Sequence, residues 1–193
     1  MRRAFCVFLL FCAGCRVKIG GGDRLFGKSG EQYFAEAKQA MDQGDWIAAA
    51  TILTATTPLH AAADRRKEPY VAEWKKLSDQ VYATAKERLP MQVQTDPPVS
   101  LYNVQGVADA KDAAVIPKLN YVHPPALTDP ARLNALAEQL HAKLVASFPG
   151  LKAKFPRVVY SGFAEPPSNP ARTYERWGTV IVTATGRAEP SKK

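Results

Sequence analysis

Proline placement partitions this chain before any other feature is weighed. A proline inside a helix removes a backbone donor and clashes with the preceding turn; in a central strand it interrupts the ladder. Residues 31–57 contain none, whereas residues 90–130 hold seven of the fifteen, with pairs at Pro97-Pro98 and Pro124-Pro125. The 193 residues therefore read as a helical stretch, a proline-rich linker and a second ordered stretch. With 46% hydrophobic and 23% charged residues, the composition excludes a collagen-like or wholly disordered chain. The expected fold class is α+β. Residues 31–89 would form a helical hairpin with a packing helix, and 90–128 a linker with short strands at Met91–Gln94 and Ala114–Ile116. Residues 129–187 would form a small helix and β-hairpin unit, and 188–193 a frayed tail.

In the first stretch Tyr33, Ala37, Ala40 and Met41 recur at helical spacing. Gly44-Asp45 breaks the pattern, and Trp46, Ala49, Ala50 and Leu53 resume it. Small residues at these positions let two helices approach, while the aromatic and leucine side chains fill the gap between them. This phasing resembles one unit of the tetratricopeptide family, a helical hairpin that stacks into binding arrays. Glu36, Thr56 and Ala61 depart from the family pattern, and no second copy follows 34 residues on. A third helix is expected from Pro69 to Leu89-Pro90, with Tyr70, Trp74, Leu77, Val81 and Ala85 on one face. In the last stretch Asp129-Pro130 opens a helix whose stripe is Leu133, Leu136, Leu140 and Leu144, continued by Phe148 and stopped by Pro149-Gly150. Strands are expected at 157–163 and 177–185. Pro117 confines the strand around Val115 to an edge.

All three cysteines, Cys6, Cys12 and Cys15, lie in the first fifteen residues, so the body has neither an internal disulfide nor a cysteine metal site. Arg2-Arg3 precede an uncharged run from Ala4 to Ala13, which is too short to span a bilayer of roughly 20 apolar residues. This is the layout of a secretory signal over residues 1–14. Cys12-Ala13-Gly14-Cys15 resembles the lipobox of bacterial lipoproteins, with Cys12 where leucine is usual. The resemblance implies acylation of Cys15 and, since Arg16 rather than Asp follows, sorting to the outer membrane facing the periplasm.

Gly22-Asp23-Arg24-Leu25-Phe26-Gly27-Lys28-Ser29 fits the phosphate-loop pattern, in which Gly22, Gly27, Lys28 and Ser29 would hold a nucleotide. Such a loop joins a buried parallel strand to a helix, and no upstream strand or downstream magnesium-binding aspartate is evident. Six of the twelve glycines fall between Gly14 and Gly30, so residues 15–30 read instead as a flexible tether.

The chain carries 26 basic and 18 acidic residues, a net +8, and loses two arginines with the signal to leave +6. Lys143, Lys152, Lys154 and Arg157 run without an acidic residue among them and form a candidate polyanion-binding surface. His60, His123 and His141 have no metal or triad spacing. Ser161 lacks a nucleophile elbow, and Glu165 with Glu175 reads as loop solvation. No cofactor, metal or catalytic residue is expected. The expected function is a lipid-anchored, non-enzymatic adaptor in the bacterial envelope. Its partners would be the membrane and another envelope protein rather than nucleic acid.

Overall fold

The computed structural model describes residues 24–123, 127, 129–163 and 176–189. The expectations for the signal, Cys15, Gly22, Glu165 and Glu175 lie outside the described residues. Within them the protein is mixed helix and sheet. Strands β1 (Arg24–Leu25) and β2 (Lys28–Ser29) form a small hairpin, followed by α1 (Gly30–Asp42), α2 (Trp46–Arg65) and α3 (Val71–Arg88). Then come β3 (Met91–Val93), β4 (Val99–Asp109) and β5 (Ala114–Val122), the helices α4 (Pro130–Ser147) and α5 (Gly150–Ala153), and β6 (Arg157–Phe163) and β7 (Arg176–Thr183).

The helix ends are set by local chemistry. Ser29 and Gln32 form a reciprocal capping box on α1, and Asp45 Oδ1 accepts from Ala48 N at 2.9 Å to start α2. Gly44, at φ +77°, makes the turn between them. Helix α2 runs through Pro58 to Arg65, further than the proline-free window suggested. Its first half is buried nearly all round because α1, α3 and the sheet surround it, which suits the small run Ala48-Ala49-Ala50-Thr51.

Five strands form one sheet in the order β3-β4-β5-β6-β7, antiparallel throughout except for the parallel β5–β6 pair. That parallel pair needs a crossover, which α4 and α5 provide. In register, Val104, Leu119, Tyr160 and Val180 lie side by side on one face. Gly106, two residues from Val104, meets Thr51 of α2; Gly178, two residues before Val180, meets Leu133 of α4. Both helices therefore cover the same face, and one continuous core joins Trp46, Ile47, Leu101, Leu119, Tyr160 and Val182.

The linker expectation for 90–128 is corrected: this stretch supplies three strands of the sheet, two of them long. The edge expectation for Pro117 holds locally: residues 114–117 pair with β4 alone among the described strands, whereas 118–122 have β4 on one side and β6 on the other. The missing N–H of Pro117 is tolerated because pairing with β6 begins one residue later, at Lys118 opposite Val159. The helix and hairpin of 129–187 are present, but they complete the same sheet and core as the N-terminal helices. Parts of the stretches read as tether and tail belong to the fold. Leu25 is buried, and Ala188 bridges Val182 while Glu189 N donates to Ile181 O at 2.7 Å.

Candidate functional site

The described part of the phosphate-loop pattern is a two-residue hairpin rather than a nucleotide cradle. Phe26 (φ 50°) and Gly27 (φ 81°) turn the chain between Leu25 and Lys28, a primed-turn geometry. Ser29 Oγ accepts from Gln32 N at 3.2 Å, so its hydroxyl serves the helix cap. Lys28 Nζ pairs with Glu36 at 2.7 Å and lies 5.5 Å above the Tyr33 ring. Tyr33 OH in turn donates to Leu25 O at 3.0 Å, pinning the hairpin to α1, and burial followed by the nearby Glu36 charge pushes this phenol up to about 12.

The candidate polyanion residues separate into two groups. Lys143, Lys152 and Lys154 are exposed and form no ion pair among the described residues. Arg157 is only 5% exposed. Its guanidinium binds Asp109 through Nε at 2.7 Å and also through Nη2, reaches Asp112 at 3.1 Å, and meets Glu189 at 3.2 Å. Lys111 adds a further contact to Glu189 at 3.4 Å. Burial would raise the Glu189 carboxyl, but its bonds to Arg157 and Lys111 outweigh that and leave it lowered. Arg157 thus fastens the β4–β5 turn and the chain after β7 to β6, and its assignment to a polyanion surface is withdrawn.

Lys28 and Lys154, over a hundred residues apart, line one groove of about 360 Å³. Its walls are the β1–β2 hairpin, α1, the β4–β5 turn and the segment after α5, with Phe26, Tyr33, Glu36 and Ala113 facing in. Of three non-glycine residues with positive φ among the described residues, two border it: Phe26, and Ala113 at φ 47°. A second depression of about 480 Å³ lies between α1 and the start of α3, lined by Glu31, Phe34, Lys38, Tyr70 and Glu73.

Two of the histidines have structural work. His60 is fully buried, stacked 4.7 Å from the Trp74 ring, with Nε2 3.1 Å from Thr56 Oγ and Nδ1 3.3 Å from Tyr70 OH. Burial pushes its imidazole down to about 4. His141 of α4 meets Tyr160 OH of β6 at 2.9 Å, and burial, with Lys152 nearby, lowers it as well. His123 is buried beside the Tyr121 ring. Ser161 is buried in β6, 3.4 Å from Thr179 across the strand pair. No three His, Cys, Asp or Glu side chains among the described residues gather as a metal site.

The groove was only half legible in the sequence. Lys28 and Lys154 stood out for unrelated reasons, a false motif and a charge run, and only the fold brings them together. Phe26 and Ala113 gave no signal, since backbone conformation is set by the turns they occupy. Comparison of the chain with protein-family models, with curated proteins and with solved structures finds no match.

Proposed function

We propose that this chain is a lipid-anchored protein of the bacterial envelope that acts as a non-enzymatic adaptor, holding a partner protein beside the membrane. The observation that carries the reading is Cys12-Ala13-Gly14-Cys15 set nine residues before the first described strand at Arg24. Nine residues reach about 30 Å at most, so an acyl chain on Cys15 would hold the folded unit against the bilayer surface. Two or more acyl chains give stable anchoring where one is marginal. The buried polar groups act within the fold. His60, His141 and Arg157 each join one element to another, with partners that occupy them. The tetratricopeptide-like hairpin contributes as a structural unit here. Its second helix is committed to the sheet and to α3, so a partner would dock elsewhere than in a stacked array.

The test is the intact mass of membrane-extracted protein beside a Cys15→Ala variant. A chain beginning at Cys15 with two or three acyl groups, absent from the variant, is the expected result. A chain that retains Met1 without acylation would overturn the reading. A polyanion-binding role through Lys143, Lys152 and Lys154 is a second reading, favoured by their exposure and lack of acidic partners. It predicts retention on anionic vesicles that falls steeply with salt, as exposed charges are screened within about 10 Å at 0.1 M.

A further inference from the structure

The groove between the β1–β2 hairpin and the segment after α5 has an uncompensated charge and an apolar floor. Lys28 is neutralised by Glu36 at 2.7 Å. Asp112, next to Ala113 on the rim, is engaged by Arg157. Lys154 has no acidic partner among the described residues, so the groove carries one unanswered positive charge. Phe26 supplies half-buried apolar surface beside it, while Ile52 and Phe155 lie beneath, almost fully covered. A volume of about 360 Å³ falls at the lower end of small-ligand sites, which run roughly 300–1,000 Å³.

The backbone at the rim is held in conformations that cost energy. Asparagine or glycine is the ordinary occupant of the Phe26 position in a primed turn, and an aromatic there persists only when its surroundings fix it. Phe26 is partly buried against the core, with its ring on the groove wall. Ala113 repeats the left-handed geometry on the opposite rim.

We propose that this groove receives the phosphodiester headgroup of an anionic phospholipid, with Lys154 as the principal cation and Phe26 against the glycerol backbone. A phosphodiester carries one negative charge, matching the single free lysine, and lysine is a common point-charge partner for phosphate. The choice of a lipid over a free anion rests on the anchored reading above. Phe26 is eleven residues from Cys15, a reach of about 40 Å at most, so an anchored chain keeps the groove within range of the bilayer surface.

The test uses the full chain carrying Cys15→Ala, which cannot be acylated, so that the groove is assayed independently of the anchor. Isothermal titration with dihexanoylphosphatidylglycerol below its micelle concentration should give saturable binding. Lys154→Glu should weaken it at least tenfold, whereas Lys154→Arg should retain it; circular dichroism checks that the exposed substitution leaves the fold intact. Equal affinity in the Lys154→Glu chain, equal affinity for dihexanoylphosphatidylcholine, or equal affinity for inorganic phosphate would each overturn the proposal. Groove binding together with an unacylated native N-terminus would support the headgroup site and remove only the anchor.

Discussion

At Gly106 helix and sheet come into backbone contact. Any Cβ there would overlap the Thr51 carbonyl oxygen, a backbone atom that cannot swing aside. Its N–H donates to Thr54 Oγ at 2.5 Å, and the same hydroxyl donates to Ala50 O at 2.7 Å, so one side chain ties α2 to β4. Gly106→Ala is expected to destabilise by about 2–3 kcal/mol, the upper range for forced overpacking. Thr54→Val, which keeps shape and loses the bridge, should cost about 1 kcal/mol. Urea unfolding measures both, and a Gly106→Ala chain as stable as the parent would disprove the close approach. Nothing around Gly106 in the sequence announces this, because the helix it meets lies fifty residues upstream. His60 makes a second prediction at this scale. Its folded value of about 4 lies below the ordinary 6.5 of the unfolded chain, so the unfolded state takes up a proton first as pH falls. Stability should therefore drop through the window from 6.5 down to about 4, with roughly 1 kcal/mol lost between pH 7.5 and 5.5. His141, also lowered, acts in the same sense. Replacing His60 with phenylalanine should flatten part of that slope in urea titrations at the two pH values, and an unchanged slope would remove His60 as its source.

Elements were legible wherever their own periodicity was the dominant signal. The leucine stripe of α4, the aromatic face of α3 and the break at Gly44 all stand where the spacing put them. The stretch 90–128 was not legible, because its prolines argued for a linker. Pro90 and the Pro97-Pro98 pair in fact sit at or beyond the ends of β3 and β4, and Pro117 sits where the neighbouring ladder has not yet begun. Proline counts report how often a strand is punctuated, not whether it exists. Arg157 shows the same limit for charge. Read along the chain it extends a basic run, yet its three carboxylate partners come from the β4–β5 turn and from the residue after β7's return, 32 to 48 positions away. Breaking a buried ion cluster by removing one partner strands the others. Arg157→Gln is therefore expected to lose about 3 kcal/mol by chemical denaturation and to loosen Ala188 and Glu189 in hydrogen exchange. It should leave retention on anionic vesicles unchanged, since its guanidinium is already occupied. Weakened retention in a folded Arg157→Gln chain would return this residue to the basic surface.

At the scale of the whole molecule, the sequence suggested two ordered units joined by a linker, whereas the structure shares one core between the helices and all five strands. The two arrangements differ in cooperativity. If 31–89 and 129–187 folded separately, each would bury its own apolar face and unfold at its own midpoint. In the observed fold, α2 lies against β4 and β5, while β5 takes its parallel partner β6 from beyond α4. Trp46 of α2 meets the Phe148 ring after α4 edge-on at 6.0 Å, so the first helices and the last crossover share side chains directly. Neither half can lose its structure without exposing the other's interior, so unfolding in one step is expected from the shared core. Urea transitions followed by far-ultraviolet circular dichroism and by tryptophan fluorescence should therefore coincide in midpoint and slope. Chains ending at Val122 should fail to fold, because β5 would then present an unpaired edge and Leu119 would lose Tyr160, its neighbour in the sheet. Two separated transitions, or a folded fragment ending at Val122, would show that the core is divisible and that the groove between the first hairpin and the segment after α5 is a junction of independent parts. A single transition would make that groove a fixed feature of the fold, with both lysines held by the same core.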